Sequence, residues 1–269
     1  MADRRPGRVG TLVLLRHGQS TTNADGRFTG WADVPLTRRG EQEAADAARL
    51  LARHGLLPDA VHTSVMFRSV RSADIVLDAL DRAWIPVQRT WRLNERQYGA
   101  LTGRRKHEVR AEVGPALYDD WRRSLHGKPA PLPDHALNRL RADPRYAALR
   151  PDALPAVESL ADMTARVTPY WADAFAPQLN TGATVLVVAH GNSLRALATV
   201  LDRLAEDDVE QLNIPTGAPL RYDLDAAMRP LVRGGTYLSP GGALARAVLV
   251  AAEGHAESTW RNPRHCATE

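Results

Sequence analysis

TLVLLRHG at residues 11–18 and TVLVVAHGN at residues 184–192 decide the fold. Each opens with a short continuous apolar run, Thr11 to Leu15 and Thr184 to Ala189, and such runs form strands buried on both faces of a parallel sheet. Each run is followed at once by a histidine and a glycine, the first after an intervening Arg16. Working outward, Thr37 caps a predicted helix on which Ala44, Ala48 and Leu51 recur at helical spacing, and Gly55 stops it. A second helix is predicted over Met66 to Leu80, with short strands at Asp59 to Thr63 and Trp84 to Gln88. Strands that alternate with helices are the mark of βαβ units. The fold class expected is therefore α/β, with three α/β/α layers around a mostly parallel sheet. From Arg104 to Pro155 charged helical pieces alternate with Pro-rich stretches such as Gly127 to Asp134, and no strand-like run occurs. This reads as a helical insertion over the crevice of the sheet. Beyond Ala189 the expectation is a helix from Ser193 to about Leu204, a polar strand near Leu220 to Leu224 and an Ala-rich segment from Gly241 to Ala252. One domain is expected over residues 1–253, with its insertion at about 104–155, followed by a disordered tail over 254–269.

Composition narrows the classes of function. With 269 residues, 44% of them apolar, the chain can bury the core of a large α/β domain. Residues 1–10 are polar and Arg-rich, and no apolar run approaches the roughly 18 residues of a membrane span; a cytoplasmic location is expected. The single cysteine, Cys266, excludes an intramolecular disulfide and the cysteine clusters of a structural zinc site. Only Lys106 and Lys128 are lysines among 35 basic residues, so arginine serves nearly everywhere. Those arginines are dispersed and not interleaved with aromatics, which argues against a nucleic-acid partner and leaves a small anion.

In open parallel sheets ligands bind in the crevice beyond the carboxyl ends of the strands, so His17 and His190 are expected to share one crevice. Gly18 and Gly191 are expected to let backbone N–H groups approach an anion where a helix begins. The tripeptide by itself decides little, because Arg53-His54-Gly55 repeats it at a predicted helix end. There a cation suits the helix dipole and the glycine terminates the helix. Position after a strand is what sets His17 apart. The absence of HExxH argues against a metal site, and the absence of G-x-S-x-G against a serine hydrolase. What remains is histidine itself as nucleophile. A neutral imidazole can attack phosphorus, and the phosphoryl in flight needs cations aimed at its equatorial oxygens. Arg16, Arg68 and a protonated His190 could supply them.

The stretches LLRHGQSTTN, RFTGWADVPLTRRG, TSVMFRS, RLNERQYGALTGRRK, WRR, DPRY, ESL, RVTPYW and AHGNSLRAL followed by LNIPTGAPL, over roughly Leu12 to Tyr222, resemble the histidine phosphatase superfamily. Within it they resemble the cofactor-dependent phosphoglycerate mutases, to which FTGW, NERxYGAL and LNIPTG point. The resemblance implies His17 as phosphoryl acceptor, His190 as transition-state stabiliser, Arg16 and Arg68 as the grip on the phosphoryl, and Glu95 as proton donor and acceptor. It implies anion contacts at Ser20, Asn23, Thr29, Gly30, Gly191 and Asn192. A clamp on the carboxylate and remote phosphate is implied at Arg96, Tyr98, Lys106, Arg122 and Arg123. Lys106 carries a hint of its own, as a lysine in a chain that prefers arginine.

The implied activity is interconversion of 3-phosphoglycerate and 2-phosphoglycerate, primed by 2,3-bisphosphoglycerate, with no metal, no nucleic acid or membrane partner, and scope for a homo-oligomer. Two other readings stay open: a phosphatase of the same superfamily acting on a small phosphorylated metabolite, and a non-catalytic phosphometabolite sensor. Gln19 and Gln97 depart from the Glu and His frequent in close relatives, the stretch from Arg123 to Asp143 is shorter, and the C-terminal region after Gly234 differs.

Overall fold

A computed structural model describes residues 8–252. The expected tail over 254–269 lies outside the described residues. Six strands run β1 (Arg8–Arg16), β2 (Ala60–Thr63), β3 (Val87–Arg89), β4 (Thr184–Ala189), β5 (Leu220–Asp225) and β6 (Thr236–Tyr237). They form one sheet in the order β3-β2-β4-β1-β5-β6. β3, β2, β4 and β1 are mutually parallel, while β5 and β6 add to the far edge antiparallel. The helices are α1 (Thr21–Ala24), α2 (Arg38–Arg53), α3 (Phe67–Ala79), α4 (Lys106–Val113), α5 (Pro115–Arg123), α6 (Asp134–Arg141), α7 (Leu160–Tyr170), α8 (Ala176–Asn180), α9 (Gly191–Asp202), α10 (Glu206–Gln211) and α11 (Pro240–Ala252).

Successive residues of a strand face opposite sides, and the two central strands feed two cores in that way. Leu12, Leu14, Val185 and Val187 join α7 and α9 through Met163, Val167, Leu194 and Leu197. Val13, Leu15, Leu186 and Val188 join α2 and α3 through Ala44, Ala48, Val76 and Leu77. A sheet buried on both faces needs apolar side chains at every position, which is why these two runs carry no alternation. Each fully buried leucine contributes roughly 1.5–3 kcal/mol, so β1 is held where its carboxyl end must deliver Arg16 and His17.

The expected helix after Thr37 is α2: the Thr37 hydroxyl accepts from Gly40 N, and Gly55 follows the helix at φ +64°. β3 begins later than expected. Pro86 has no N–H for a ladder; its carbonyl instead accepts from Val61 N at 3.0 Å, and Trp84 stays exposed against Arg82. α7 and α8 are joined by a π-helical turn over Trp171–Phe175. Pro177 cannot donate back to the preceding turn, and the helix widens just ahead of it. Residues 104–155 hold α4, α5, α6 and two 3₁₀ turns with no strand. They pack against the rest of the chain through two small cores, one joining Val109 and Tyr118 to Phe28 and Leu101, the other joining Tyr146 and Leu154 to Trp31 and Met66. α4 is tied to the loop after α1, since Phe28 N donates to Arg104 O at 2.9 Å and Lys106 N to Gly26 O at 2.8 Å.

Candidate active site

Register places the two histidines. β1 and β4 run parallel with Arg16 opposite Ala189 as the last pair, so the next residue of each strand, His17 and His190, emerges side by side at the carboxyl edge. Their ring centroids lie 4.9 Å apart, edge to face at 65°. Both are nearly inaccessible, at 2% and 0% exposure.

The tautomer of His17 follows from its neighbours. Nδ1 lies 2.7 Å from the Gly18 carbonyl, an acceptor only, so Nδ1 carries the hydrogen. Nε2 then keeps its lone pair, and Arg68 Nε donates to it at 3.3 Å. Burial, then the charges of Arg68 and Arg16, push His17 well below its ordinary value of 6.5. The result is a neutral imidazole with Nε2 as the available nucleophile. Burial and the same cations, with His17, push His190 well down too. The protonated His190 expected from the sequence is therefore a neutral imidazole here, because burial and the neighbouring Arg68, His17, Arg16 and Arg166 oppose a further charge.

Arg68 is 1% exposed and anchored through Nη1 to Ala32 O at 2.9 Å and Nη2 to Gly30 O at 3.0 Å. Burial lowers it to about 10, with Glu95 and Asp33 opposing, so it stays charged at neutral pH. Arg16 donates through Nη1 to Ile214 O at 3.0 Å, and its buried Nε has no partner among the described residues.

Glu95 presents a defined oxygen. Oε1 accepts from Arg96 N at 2.7 Å, Asn192 Nδ2 at 2.9 Å and Asn192 N at 3.3 Å. Oε2 has no hydrogen-bond partner among the described residues, and Glu95 lines the same cavity as His17. That cavity is walled on one side by Arg16, Arg68 and Gly191, with Asn23 and Thr29 nearby. Lys106, Arg122, Arg123, Tyr98 and Asn192 wall it on the insertion side and α9. Ser20, Gly30, Arg96 and His190 do not line it. Ser20 caps α1 and accepts from Asn23 N, so it shapes the turn that presents Asn23. Gly30, at φ +54°, offers its carbonyl to Arg68. Arg96 lies beneath Tyr98, its guanidinium 4.5 Å from the ring centroid, and donates to Trp121 O at 2.6 Å.

Gly18 has a different reason from the one expected. A Cβ there would collide with the Gly40 carbonyl, so glycine lets α2 approach, and Gly18 N donates to Ser72 Oγ at 3.1 Å. A Cβ at Gly191 would meet the Arg16 guanidinium at ordinary contact distance, 3.5 Å.

Three groups were not found from the sequence. Arg195, buried on α9 and pushed down to about 9 by burial and the charges of Arg123, Arg96 and Arg122, lines the cavity. Its Nη1 donates to Asn192 Oδ1 at 2.9 Å, which turns the Asn192 amide nitrogen toward Glu95. Arg166 and Glu158 form a buried ion pair at 2.6 Å. Arg166 Nη2 also donates to the carbonyls of Asn94 at 2.9 Å and Glu95 at 3.2 Å, and Glu158 Oε2 accepts from Gln97 N at 2.9 Å. Ser64 Oγ lies 2.7 Å from His190 Nε2.

A family model described as histidine phosphatase superfamily (branch 1) matches residues 12–142 and 133–232. The chain belongs to the histidine phosphatase superfamily. Within that superfamily it is 53% identical over 246 residues to the 2,3-bisphosphoglycerate-dependent phosphoglycerate mutase of Mycobacterium tuberculosis (strain ATCC 25618 / H37Rv), covering 91% of this chain and 98% of that one. It is 51% identical over 243 residues to the protein of the same name from Streptomyces avermitilis, covering 90% and 96%. Among solved structures, mycobacterial hydrolase 2 matches with a TM-score of 0.65 at 23% identity over 93% of this chain and 100% of that one. The mycobacterial glucosyl-3-phosphoglycerate phosphatase in complex with VO3 matches at 0.63 and 23%, over 82% and 94%. These last two speak for the fold alone. Among the described residues no helix is long and apolar enough to cross a membrane, and no three His, Cys, Asp or Glu are grouped to hold a metal ion.

Superfamily histidines held neutral in the fold set the sign of a pH effect. The unfolded chain takes up protons below about 6.5, whereas in the fold burial, chiefly, makes His17, His190 and the likewise lowered His62 bind them less readily. Folded pKa values below the unfolded ones mean stability that is present above 6.5 and declines as pH falls through it. The urea midpoint is expected to drop between pH 7.5 and 5.5, each fully shifted histidine contributing up to about 1.4 kcal/mol per pH unit below its ordinary value. His17→Asn should flatten the slope; an unchanged slope would refute the assignment.

Proposed function

We propose that the chain is a 2,3-bisphosphoglycerate-dependent phosphoglycerate mutase, interconverting 3-phosphoglycerate and 2-phosphoglycerate through phosphorylated His17. The observation that carries it is one cavity with two sets of cations, Arg16 and Arg68 beside His17 and Lys106, Arg122 and Arg123 from the insertion, in a chain 53% identical to proteins named for that activity. A substrate with two anionic groups uses both sets.

The residues divide the work. His17 Nε2 attacks phosphorus with its lone pair while Nδ1–H stays on Gly18 O, so the imidazole needs no base. Arg16 and Arg68 hold the equatorial oxygens, and their burial in a dry wall strengthens each charge. His190 offers an N–H to the same oxygens, and the arriving negative charge favours its protonation against the cations that keep it neutral. Glu95, through Oε2, exchanges a proton with the substrate hydroxyl as the phosphoryl leaves or arrives. Buried Nε–H groups without partners at Arg16 and Arg195, both lining the cavity, fit a polyanion. When bound, bisphosphoglycerate supplies the priming phosphoryl group. Ser20, Asn23, Thr29, Gly30, Gly191 and Asn192 shape the wall near His17; Tyr98, Lys106, Arg122 and Arg123 grip the carboxylate and remote phosphate, and Arg96 supports Tyr98 from beneath. The reading carries a cytoplasmic location, no metal requirement and one domain over residues 1–253.

Isomerase activity measured with and without added bisphosphoglycerate, and with a chelator, tests it. The expected result is 2-phosphoglycerate production that bisphosphoglycerate stimulates and the chelator leaves unchanged; phosphate release without isomer would favour a phosphatase, and binding without turnover a sensor.

A further inference from the structure

The turn after His17 is held peptide by peptide, and one of those peptides is gripped at both ends. The amide between Gly18 and Gln19 accepts from His17 Nδ1 through the Gly18 carbonyl, at 2.7 Å, and donates from Gln19 N to Glu43 Oε2, at 2.9 Å. Its neighbours have other partners: Gly18 N donates to Ser72 Oγ at 3.1 Å, and the Gln19 carbonyl accepts from Thr37 N at 2.9 Å. Glu43 is thus the side chain that fixes the peptide on which the hydrogen of His17 rests.

Glu43 stands on α2 yet is 4% exposed. Its Oε1 accepts from Arg39 Nε at 3.0 Å, an i,i+4 pair whose arginine side chain is 62% exposed. Such pairs form on open helix surfaces, so this one gives no reason to bury the carboxylate. Burial is costly unless the oxygens have donors, and the second oxygen has Gln19 N. The backbone is shaped to bring it there. A Cβ on Gly18 would strike the Gly40 carbonyl, and one on Gly40 would strike the main chain of Gln19, so glycine on both sides lets α2 lie against the turn. On its other flank Gly217, at φ +62°, leaves room for Glu43, since a Cβ at 217 would lie 2.7 Å from the Glu43 Cβ.

We propose that Glu43 is a positioning residue for His17: by accepting from Gln19 N it holds the Gly18 carbonyl on Nδ1–H and so keeps the lone pair on Nε2, the atom that Arg68 Nε reaches at 3.3 Å. Hydrogen bonds in a chain polarise one another, so the Gly18 carbonyl accepts more strongly with a carboxylate behind its peptide. The effect is largest once the phosphoryl group has moved. The P–O bond of the donor breaks, its oxygen taking a proton from Glu95, the P–Nε2 bond forms, and Nδ1 keeps its hydrogen on a ring that now carries positive charge. No bond to Glu43 forms or breaks beyond the hydrogen bond. The catalytic consequence rests on the reading of His17 given above, but the hold on the peptide does not.

Two checks need only the wild-type protein. In long-range ¹H–¹⁵N correlation spectra at pH 7.5, with His17→Asn identifying the His17 signals by their loss, the hydrogen is expected on Nδ1. The Gln19 amide is expected to exchange with deuterium at least about 100-fold more slowly than in an unstructured peptide. A hydrogen on Nε2, or an unprotected Gln19 amide, would overturn the proposal whether or not any variant folds. Glu43→Leu leaves Gln19 N–H without its acceptor and frees the peptide to turn. The expected result is a mixture of His17 tautomers, with kcat in the isomerase assay lower by about tenfold and KM changed by less than about twofold. Glu43→Gln, whose amide oxygen can still accept, should restore the Nδ1–H form and at least about half of the wild-type kcat. A wild-type tautomer and kcat in Glu43→Leu, or a Glu43→Gln protein no better than Glu43→Leu, would overturn the positioning role. A mixed tautomer in Glu43→Leu, restored in Glu43→Gln, in a chain whose wild type makes no isomer would instead count against the function proposed above and leave the hold of Glu43 on the peptide standing.

Discussion

Replacing His17 by alanine is expected to leave a folded protein that takes up no labelled phosphoryl group from bisphosphoglycerate and whose isomerase activity is lower by on the order of 10⁴-fold or more. The size follows from the site. Nε2 of His17 is a neutral, oriented lone pair, and the neighbours that could replace it are unsuited: His190 is tied through Nε2 to Ser64, and Arg16 and Arg68 are cations. The fold should survive, because His17 packs at a strand end and the cores lie along the strands. Rapid-quench labelling and the urea midpoint, read on the same preparation, separate lost chemistry from lost structure. Label on the variant would assign the acceptor elsewhere.

Arg166→Met is expected to cost about 3–5 kcal/mol of stability, the penalty of leaving one member of a buried ion pair uncompensated. Glu158 is 2% exposed and would keep only its contact to Gln97 N. The substitution also removes donors from the carbonyls of Arg92, Asn94 and Glu95, which fix the loop that presents the Glu95 carboxylate. Trp31 Nε1, at 2.6 Å from the Glu95 carbonyl, would hold it alone. Equilibrium urea unfolding measures the loss, and the double variant with Glu158→Leu should recover part of it, since no lone charge then stays buried. A single variant as stable as wild type would show that the loop does not depend on the pair.

The fold was legible where one physical signal acts alone. Thr11 to Leu15 and Thr184 to Ala189 must be apolar throughout because both faces are covered, and Thr37 with its periodic alanines announces α2. β3 was misplaced because apolarity near Trp84 speaks for a strand while Pro86 forbids the ladder, and the backbone rule prevails. The stretch from α7 to α8 was not read because Pro169 and Pro177 interrupt a helix that continues through a π turn. In the site, strand-end position pointed to both histidines, whereas Glu95 and the clamp entered through motifs. Ser64 had the same signal as the histidines, a polar residue directly after a predicted strand, but a lone serine attracts no chemical reading. Arg195 stands three residues after Asn192 on one helix face, and among so many arginines nothing singled it out. Glu158 and Arg166 meet eight residues apart across a helix start, a pairing only the packing reveals.

α11 reaches the clamp through its main chain: the carbonyl of Val250 accepts from Arg122 at 3.2 Å and from Arg123 at 3.3 Å. A carbonyl is common to every residue type, so the contact places no demand on which side chain stands at 250. The C-terminal region can therefore drift in evolution and still meet those guanidinium groups, provided the length and course of the segment persist. Insertions or deletions between the last strand and α11, and not point changes within the helix, are the alterations to which this closure is vulnerable.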